Sequence, residues 1–144
     1  FLFLAYGCAV DEFQHIMYQN PDLTPDQRNQ TWLELEHKYR PWIDFDNLPF
    51  YGRGAGWQRQ LHIYECPFYY IDYCLSTMAA LQFFLLSLHD QKDAWERYLR
   101  LVRRAGTASY TELCETAGLQ VPFRDGSIKA IAQQMSQWIA GHQV

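Results

Sequence analysis

Tyr73-Cys74-Leu75-Ser76-Thr77-Met78-Ala79-Ala80-Leu81-Gln82-Phe83-Phe84-Leu85-Leu86-Ser87-Leu88 is the longest apolar stretch of the chain, and its reading decides the fold. A membrane span needs roughly 20 apolar residues. This stretch is shorter and is interrupted by Ser76, Thr77, Gln82 and Ser87, so it reads as a buried core helix with no membrane partner. Upstream, Pro67 is placed as the first residue of that helix, which should reach about His89. Downstream, Asp90 can cap a further helix with the apolar stripe Trp95, Tyr98, Leu99, Leu101 and Val102. It ends in Arg103-Arg104 and Gly106, where basic residues favour a helix C-terminus and glycine can cap it. Ser109 with Glu112 opens a short helix closed by Gly118, and a last helix spans about Ser127 to Ala140 with Ile128, Ile131, Met135, Trp138 and Ile139 on one face.

The same grammar holds on the N-terminal side. Leu4, Cys8, Val10, Phe13, Ile16 and Met17 recur at helical intervals, and Asn20-Pro21-Asp22 forms a turn, so residues 1–19 are expected to be a helix. Thr24-Pro25-Asp26-Gln27 supplies an N-cap, a proline at the first helical position and a capping box, for a helix that runs to about Tyr39 and stops before Pro41. Between Pro41 and Trp57 stand Pro49, Gly52, Gly54 and Gly56, which predict a long, adaptable loop at about 44–57. Trp57 to Glu65 is then a short helix or an extended approach. No stretch reads convincingly as a strand, and the expected architecture is a single all-α region over 1–144.

Composition limits the function classes. The 144 residues are 49% hydrophobic and 19% charged, a globular balance with enough chain for a real core. A formal charge of −4 lacks the positive field that phosphate backbones demand, so nucleic acid is not an expected partner. The four cysteines, Cys8, Cys66, Cys74 and Cys114, form no CxxC pair and read as reduced thiols of a cytoplasmic protein. Phe1-Leu2-Phe3-Leu4-Ala5-Tyr6 has no basic flank or cleavage site for a signal peptide, and it reads as a chain entered in mid-helix. Ten Tyr, nine Phe and five Trp are a surplus whose location matters.

That surplus gathers in His62-Ile63-Tyr64-Glu65-Cys66-Pro67-Phe68-Tyr69-Tyr70-Ile71-Asp72-Tyr73. On an unbroken helix, Tyr69 and Tyr73 lie seven and eleven residues beyond His62, close to two and three whole turns, so one imidazole and two phenols share a stripe. Neutral donors of this kind suit a developing oxyanion or a peptide carbonyl. Equally, Tyr and His here can be ordinary amphipathic packing residues with satisfied polar tips. Metal chemistry has less support. Asp11 with His15 and Glu34 with His37 stand at helical spacings, but no HExxH, Cys/His cluster or second Glu-x-x-His accompanies them, and both pairs read as structural or solvated. Gly52-Arg53-Gly54-Ala55-Gly56 lacks the spacing of a phosphate loop and reads as backbone able to approach a ligand closely.

Trp57-Gln58-Arg59-Gln60-Leu61-His62 through Tyr73 closely resembles the C-terminal signature of oligoendopeptidase F-type zinc peptidases, relatives of thimet oligopeptidase, and Ala9-Val10-Asp11-Glu12-Phe13-Gln14-His15 with Tyr18 extends the likeness. The resemblance implies the helical C-terminal part of a zincin-like catalytic domain. It implies hydrolysis of internal bonds in short peptides, with zinc held by an HExxH helix and a further Glu upstream, and no metal bound by these residues. By motif position His62 corresponds to the family's site histidine, and Tyr69 and Tyr73 are the candidate catalytic tyrosines. Tyr70, Gly54 and Gly56 are the candidate substrate contacts, the glycine loop bordering the cleft. The implied partners are short peptides and the N-terminal remainder of the enzyme, and the apolar start around Phe1–Val10 predicts self-association of an isolated, inactive piece. The alternative is a non-catalytic helical peptide-binding module derived from the same family.

Overall fold

The computed structural model describes residues 2–45 and 47–142, which fold as seven α helices without a strand among those residues. They are α1 (Leu2–Gln19), α2 (Pro25–Tyr39), α3 (His62–Glu65), α4 (Ile71–His89), α5 (Gln91–Arg104), α6 (Tyr110–Ala117) and α7 (Ser127–Gly141), with a 3₁₀ turn at Ala55–Arg59. The all-α expectation is met, although the helix expected over 1–19 begins, in the described residues, at Leu2. Phe1 lies outside them. Two compact units divide the chain, Phe1–Cys74 and Leu75–Val144.

In the first unit, the α2 start is the one its residues specify: the Thr24 hydroxyl accepts from the Gln27 N–H at 3.3 Å, and the Gln27 side chain accepts from the Thr24 N–H at 2.9 Å. Helices α1 and α2 pack through Ala9, Val10, Phe13, Trp32 and Leu35, all buried. The Phe13 ring meets Trp32 edge-on at 5.2 Å and Trp57 at 5.3 Å, so one α1 side chain joins α2 to the 3₁₀ turn. Fully burying aromatic side chains of this size stabilises by about 1.5–3 kcal/mol each. Glu36 is buried in this core and is held by Arg40 one turn on, whose Nε donates at 2.7 Å; the guanidinium also lies over the Tyr6 and Phe45 rings. A buried carboxylate is tolerated here because it is paired on its own helix.

The segment between α2 and the 3₁₀ turn is a run of turns: Gly52 N–H donates to Leu48 O at 2.7 Å, Gly54 N–H to Tyr51 O at 2.9 Å and Ala55 N–H to Phe50 O at 3.4 Å. It ends against α2, where Trp57 Nε1 donates to Asn29 Oδ1 at 2.9 Å.

The long apolar helix departs from expectation at both its start and its burial. It begins at Ile71 rather than Pro67, because Phe68 adopts a left-handed backbone with φ 62° and residues 66–70 form turns. Nor is it buried all round. Cys74, Met78 and Gln82 form its buried stripe at four-residue intervals, whereas Asp72, Tyr73, Ser76, Ala80 and Leu88 are exposed. By length and composition α4 is apolar enough to cross a membrane. Its buried Gln82, however, has a role in the second unit: the side-chain amide donates to Gln120 O at 3.0 Å and accepts from Gln120 N–H at 2.7 Å.

The second unit buries Cys114, Ala117, Leu119 and Val121 against Phe83, Leu86, Leu101 and Tyr110. Its helix ends follow the local signals. Asp90 caps α5 by accepting from the Lys92 and Asp93 N–H groups, Ser109 and Glu112 form the capping box of α6, and Gly118 closes α6 with a left-handed φ of 67°. The C-cap of α5 is Ala105, with Gly106 next at φ 77°.

Replacing Gln82 by Leu keeps the apolar stripe but strands both backbone groups of Gln120. We expect a loss of about 1–3 kcal/mol, read as a lower midpoint in urea unfolding; an unchanged midpoint would show that the amide clasp contributes nothing.

Candidate functional site

Helix α3 is a single turn, and Cys66 ends it with a non-helical φ of −138°. The chain then reverses through Pro67 and Phe68. A left-handed conformation costs an aromatic residue about 1–2 kcal/mol, so something must hold it. Buried Gln14 on α1 does so: its Oε1 accepts from the Phe68 N–H at 2.9 Å, while its Nε2 donates to Val10 O at 3.2 Å. The Phe68 ring lies 4.9 Å from both His15 and Tyr18. One hydrogen bond worth about 1 kcal/mol together with two ring contacts is enough to offset the strain.

This turn returns the three tyrosines to the histidine. The His62 ring lies 4.9 Å from Tyr70, 5.7 Å from Tyr73 and 6.2 Å from Tyr69, and Tyr73 lies 5.2 Å from Tyr69 and 5.4 Å from Tyr70. All four sequence-predicted side chains therefore gather, though not by the continuous stripe that placed two of them. That stripe is broken at Cys66, and it omits Tyr70, whose ring is the nearest of the three to His62. Tyr70 also packs edge-on against Tyr6 at 5.8 Å, so one of its sides belongs to the core. Tyr69 and Tyr73 are exposed. A hydrogen bond with Tyr69 raises the pKa of Tyr73, and burial raises that of Tyr70. Both phenols accordingly stay protonated, as hydrogen-bond donors, across neutral pH.

Behind His62 stands a contact that sequence reading missed. Gln60 Nε2 lies 2.7 Å from His62 Nδ1, and Gln60 Oε1 accepts from the Tyr6 hydroxyl at 2.8 Å. Burial pushes the Tyr6 phenol up to about 12. Nothing local signals this pairing, because Tyr6 and Gln60 are 54 residues apart.

The candidate glycines are placed differently. Gly54, at φ 76°, lies so close to α2 that a Cβ would stand 1.9 Å from the Asn29 carbonyl oxygen. A Cβ on Gly56 would stand 2.8 Å from Trp32 Nε1. Both are buried, and the close approach they permit is to α2. Gly56 also borders a cavity of about 310 Å³ lined by Tyr6, Glu36, Arg40, Tyr51, Arg59 and Gln60.

The two carboxylate–histidine pairs keep separate local partners. Asp11 pairs with His15 at 3.4 Å, Glu34 accepts from Gln30 at 3.0 Å, and His37 packs beside Phe45. Among the described residues no group of three or more His, Cys, Asp or Glu could hold a metal ion.

Next to the cluster, the Cys74 thiol donates to Leu4 O at 3.9 Å. Interaction with Cys74 lowers the Cys8 thiol to about 7, and the same interaction with burial raises the Cys74 thiol.

Two measurements check this geometry. Gly54→Ala should destabilise by about 1–3 kcal/mol more than Gly106→Ala, since both glycines have positive φ but only Gly54 faces a backbone atom; equal losses would mean that the loop can move off α2 freely. In a Cys66→Ser background, Cys74→Ala should return Cys8 toward an ordinary thiol and slow its alkylation by iodoacetamide at neutral pH several-fold. An unchanged rate would show that Cys74 does not stabilise the thiolate.

No family model and no curated protein sequence matches the chain. Solved structures do. PZ peptidase A, determined with an inhibitor, is 45% identical over 98% of this chain with a TM-score of 0.92, and the match covers 25% of that protein. A protein described as an oligoendopeptidase F is 44% identical over 99% of the chain with a TM-score of 0.93, again over 25% of its own length. A further protein so described, from Bacillus anthracis str. Ames, is 35% identical with a TM-score of 0.76, over 99% of this chain and 22% of that one. The chain thus spans about a quarter of the length of the peptidases it matches. At 44–45% identity over nearly the whole chain, with TM-scores of 0.92 and 0.93, the chain is similar in sequence and backbone to a quarter of these oligoendopeptidase F and PZ peptidase structures.

Proposed function

We propose that the chain is the C-terminal helical part of a zinc-dependent oligoendopeptidase that cleaves internal bonds of short peptides in the cytoplasm. The observation that carries this reading is the gathering of Tyr69, Tyr70 and Tyr73 around His62 in a peptidase fold. In it, His62, Tyr69 and Tyr73 donate hydrogen bonds to the scissile carbonyl and to the oxyanion that develops from it. Donors of fixed direction stabilise charge that appears only in the transition state, and so they raise the rate rather than the affinity. Tyr70, anchored on its core side, contacts the substrate backbone. Gly54 and Gly56 support the peptide-binding face by seating the loop against α2.

The zinc that the family resemblance implies does not fit the donors available here. No group of three or more potential ligands exists among the described residues, and Asp11, His15 and Glu34 are already paired. The metal therefore belongs to the remainder of the parent enzyme, which is the first partner of this chain. Without that remainder the piece is inactive, and its apolar N-terminal side chains, Leu2 and Phe3 among them, are exposed for self-association.

The test uses the intact enzyme. His62→Ala, Tyr69→Phe and Tyr73→Phe should each lower kcat/KM roughly 10²–10³-fold, with the fold unchanged by circular dichroism. Undiminished turnover in all three would defeat the assignment. Reading the coding sequence upstream of Phe1 decides the parentage: an in-frame HExxH followed by a Glu ligand supports it, and a start codon without them turns the reading to a non-catalytic peptide-binding module.

A further inference from the structure

We propose that Gln60 is a positioning residue that holds His62 as the Nε2–H tautomer, so that a neutral imidazole donates from Nε2. The inference rests on the reading of His62 as a donor to the substrate. Its basis is the pair of contacts made by one side-chain amide: Tyr6 hydroxyl to Gln60 Oε1 at 2.8 Å and Gln60 Nε2 to His62 Nδ1 at 2.7 Å.

An amide has one accepting end and one donating end. The Tyr6 phenol keeps its proton, being pushed up to about 12 by burial, and it gives that proton to the amide oxygen. The NH₂ end then faces His62. Two N–H groups cannot share a hydrogen bond at 2.7 Å, so Nδ1 must present its lone pair and the ring proton sits on Nε2. Reversing the amide would place NH₂ against the Tyr6 hydroxyl and oxygen against Nδ1–H, which takes the amide acceptor away from the phenol proton. The ends of this relay are well anchored. Tyr6 packs on α1 against Trp32 at 6.1 Å and lies under the Arg40 guanidinium, and His62 stands among the Tyr69, Tyr70 and Tyr73 rings.

The tautomer matters chemically because neutral imidazole can donate from only one nitrogen. With Nδ1 accepting from Gln60, Nε2–H donates without the ring being protonated.

The experiment reads side-chain ¹⁵N signals in the intact, ¹⁵N-histidine-labelled enzyme, with His62 identified by the signals lost in His62→Gln. In the parent, His62 is expected as Nε2–H. In Gln60→Glu, whose side chain can only accept, the preference should invert to Nδ1–H, by roughly fivefold for a hydrogen bond worth about 1 kcal/mol. Gln60→Leu, which removes the partner, should show a mixture, and kcat should fall in both variants with little change in KM. An Nδ1–H parent, or a Gln60→Glu variant with the parent's tautomer ratio, overturns the proposal. Should the tautomer invert while kcat stays unchanged, the relay stands and the reading of His62 as oxyanion donor fails.

Discussion

The arrangement of the site depends on one buried amide. Gln14, on α1, spends one end on its own helix and the other on the N–H of Phe68, 54 residues further along. That bond helps hold an aromatic residue in a left-handed conformation that would otherwise cost about 1–2 kcal/mol. The consequence is topological. A chain that continued as helix from His62 would carry His62, Tyr69 and Tyr73 along one line, spread over about 16 Å at 1.5 Å per residue. Interrupted at Phe68, it instead brings three phenols within 4.9–6.2 Å of one imidazole.

Around that turn, polar groups are placed by the core rather than by solvent. Tyr6 contributes its ring to the packing near Trp32 and its hydroxyl to Gln60, which reaches His62. Tyr70 likewise uses one side for Tyr6 and the other for the cluster. Side chains with an apolar body and a polar tip can serve both purposes, and this is where the aromatic surplus of the composition is used. The glycines act in the same frame: Gly54 and Gly56 let the loop backbone settle onto α2 at distances no Cβ would permit.

Similarity to solved peptidases and local geometry support each other at different levels. Identity of 44–45% with solved peptidases extends over nearly the whole chain, and the match covers about 25% of those proteins. What the geometry shows is one imidazole and three phenol rings held in ring contacts of 4.9–6.2 Å. In the reading proposed above, preorganised donors of that kind act on charge that forms during reaction.

Helix starts and stops were legible in the residues themselves, because capping is local: Thr24 with Gln27, Asp90, and Ser109 with Glu112 act on N–H groups two or three positions away. The identities of His62, Tyr69, Tyr70 and Tyr73 were legible too, through their motif. Where α4 begins was not, because Pro67 is a good local start and it is overruled by distant residues, the Gln14 amide and the His15 and Tyr18 rings that hold Phe68. Which face of α4 is buried was not legible for a related reason: apolar composition shows that a helix can be covered, not which of its faces these residues cover. The pairing of Gln60 with His62 and Tyr6 had no sequence signal at all. Local chemistry determined the helical elements of this protein, and the motif named its candidate site side chains. Their convergence was decided by hydrogen bonds and ring contacts between residues more than fifty positions apart, which form only once α1 and the segment carrying His62 are packed together.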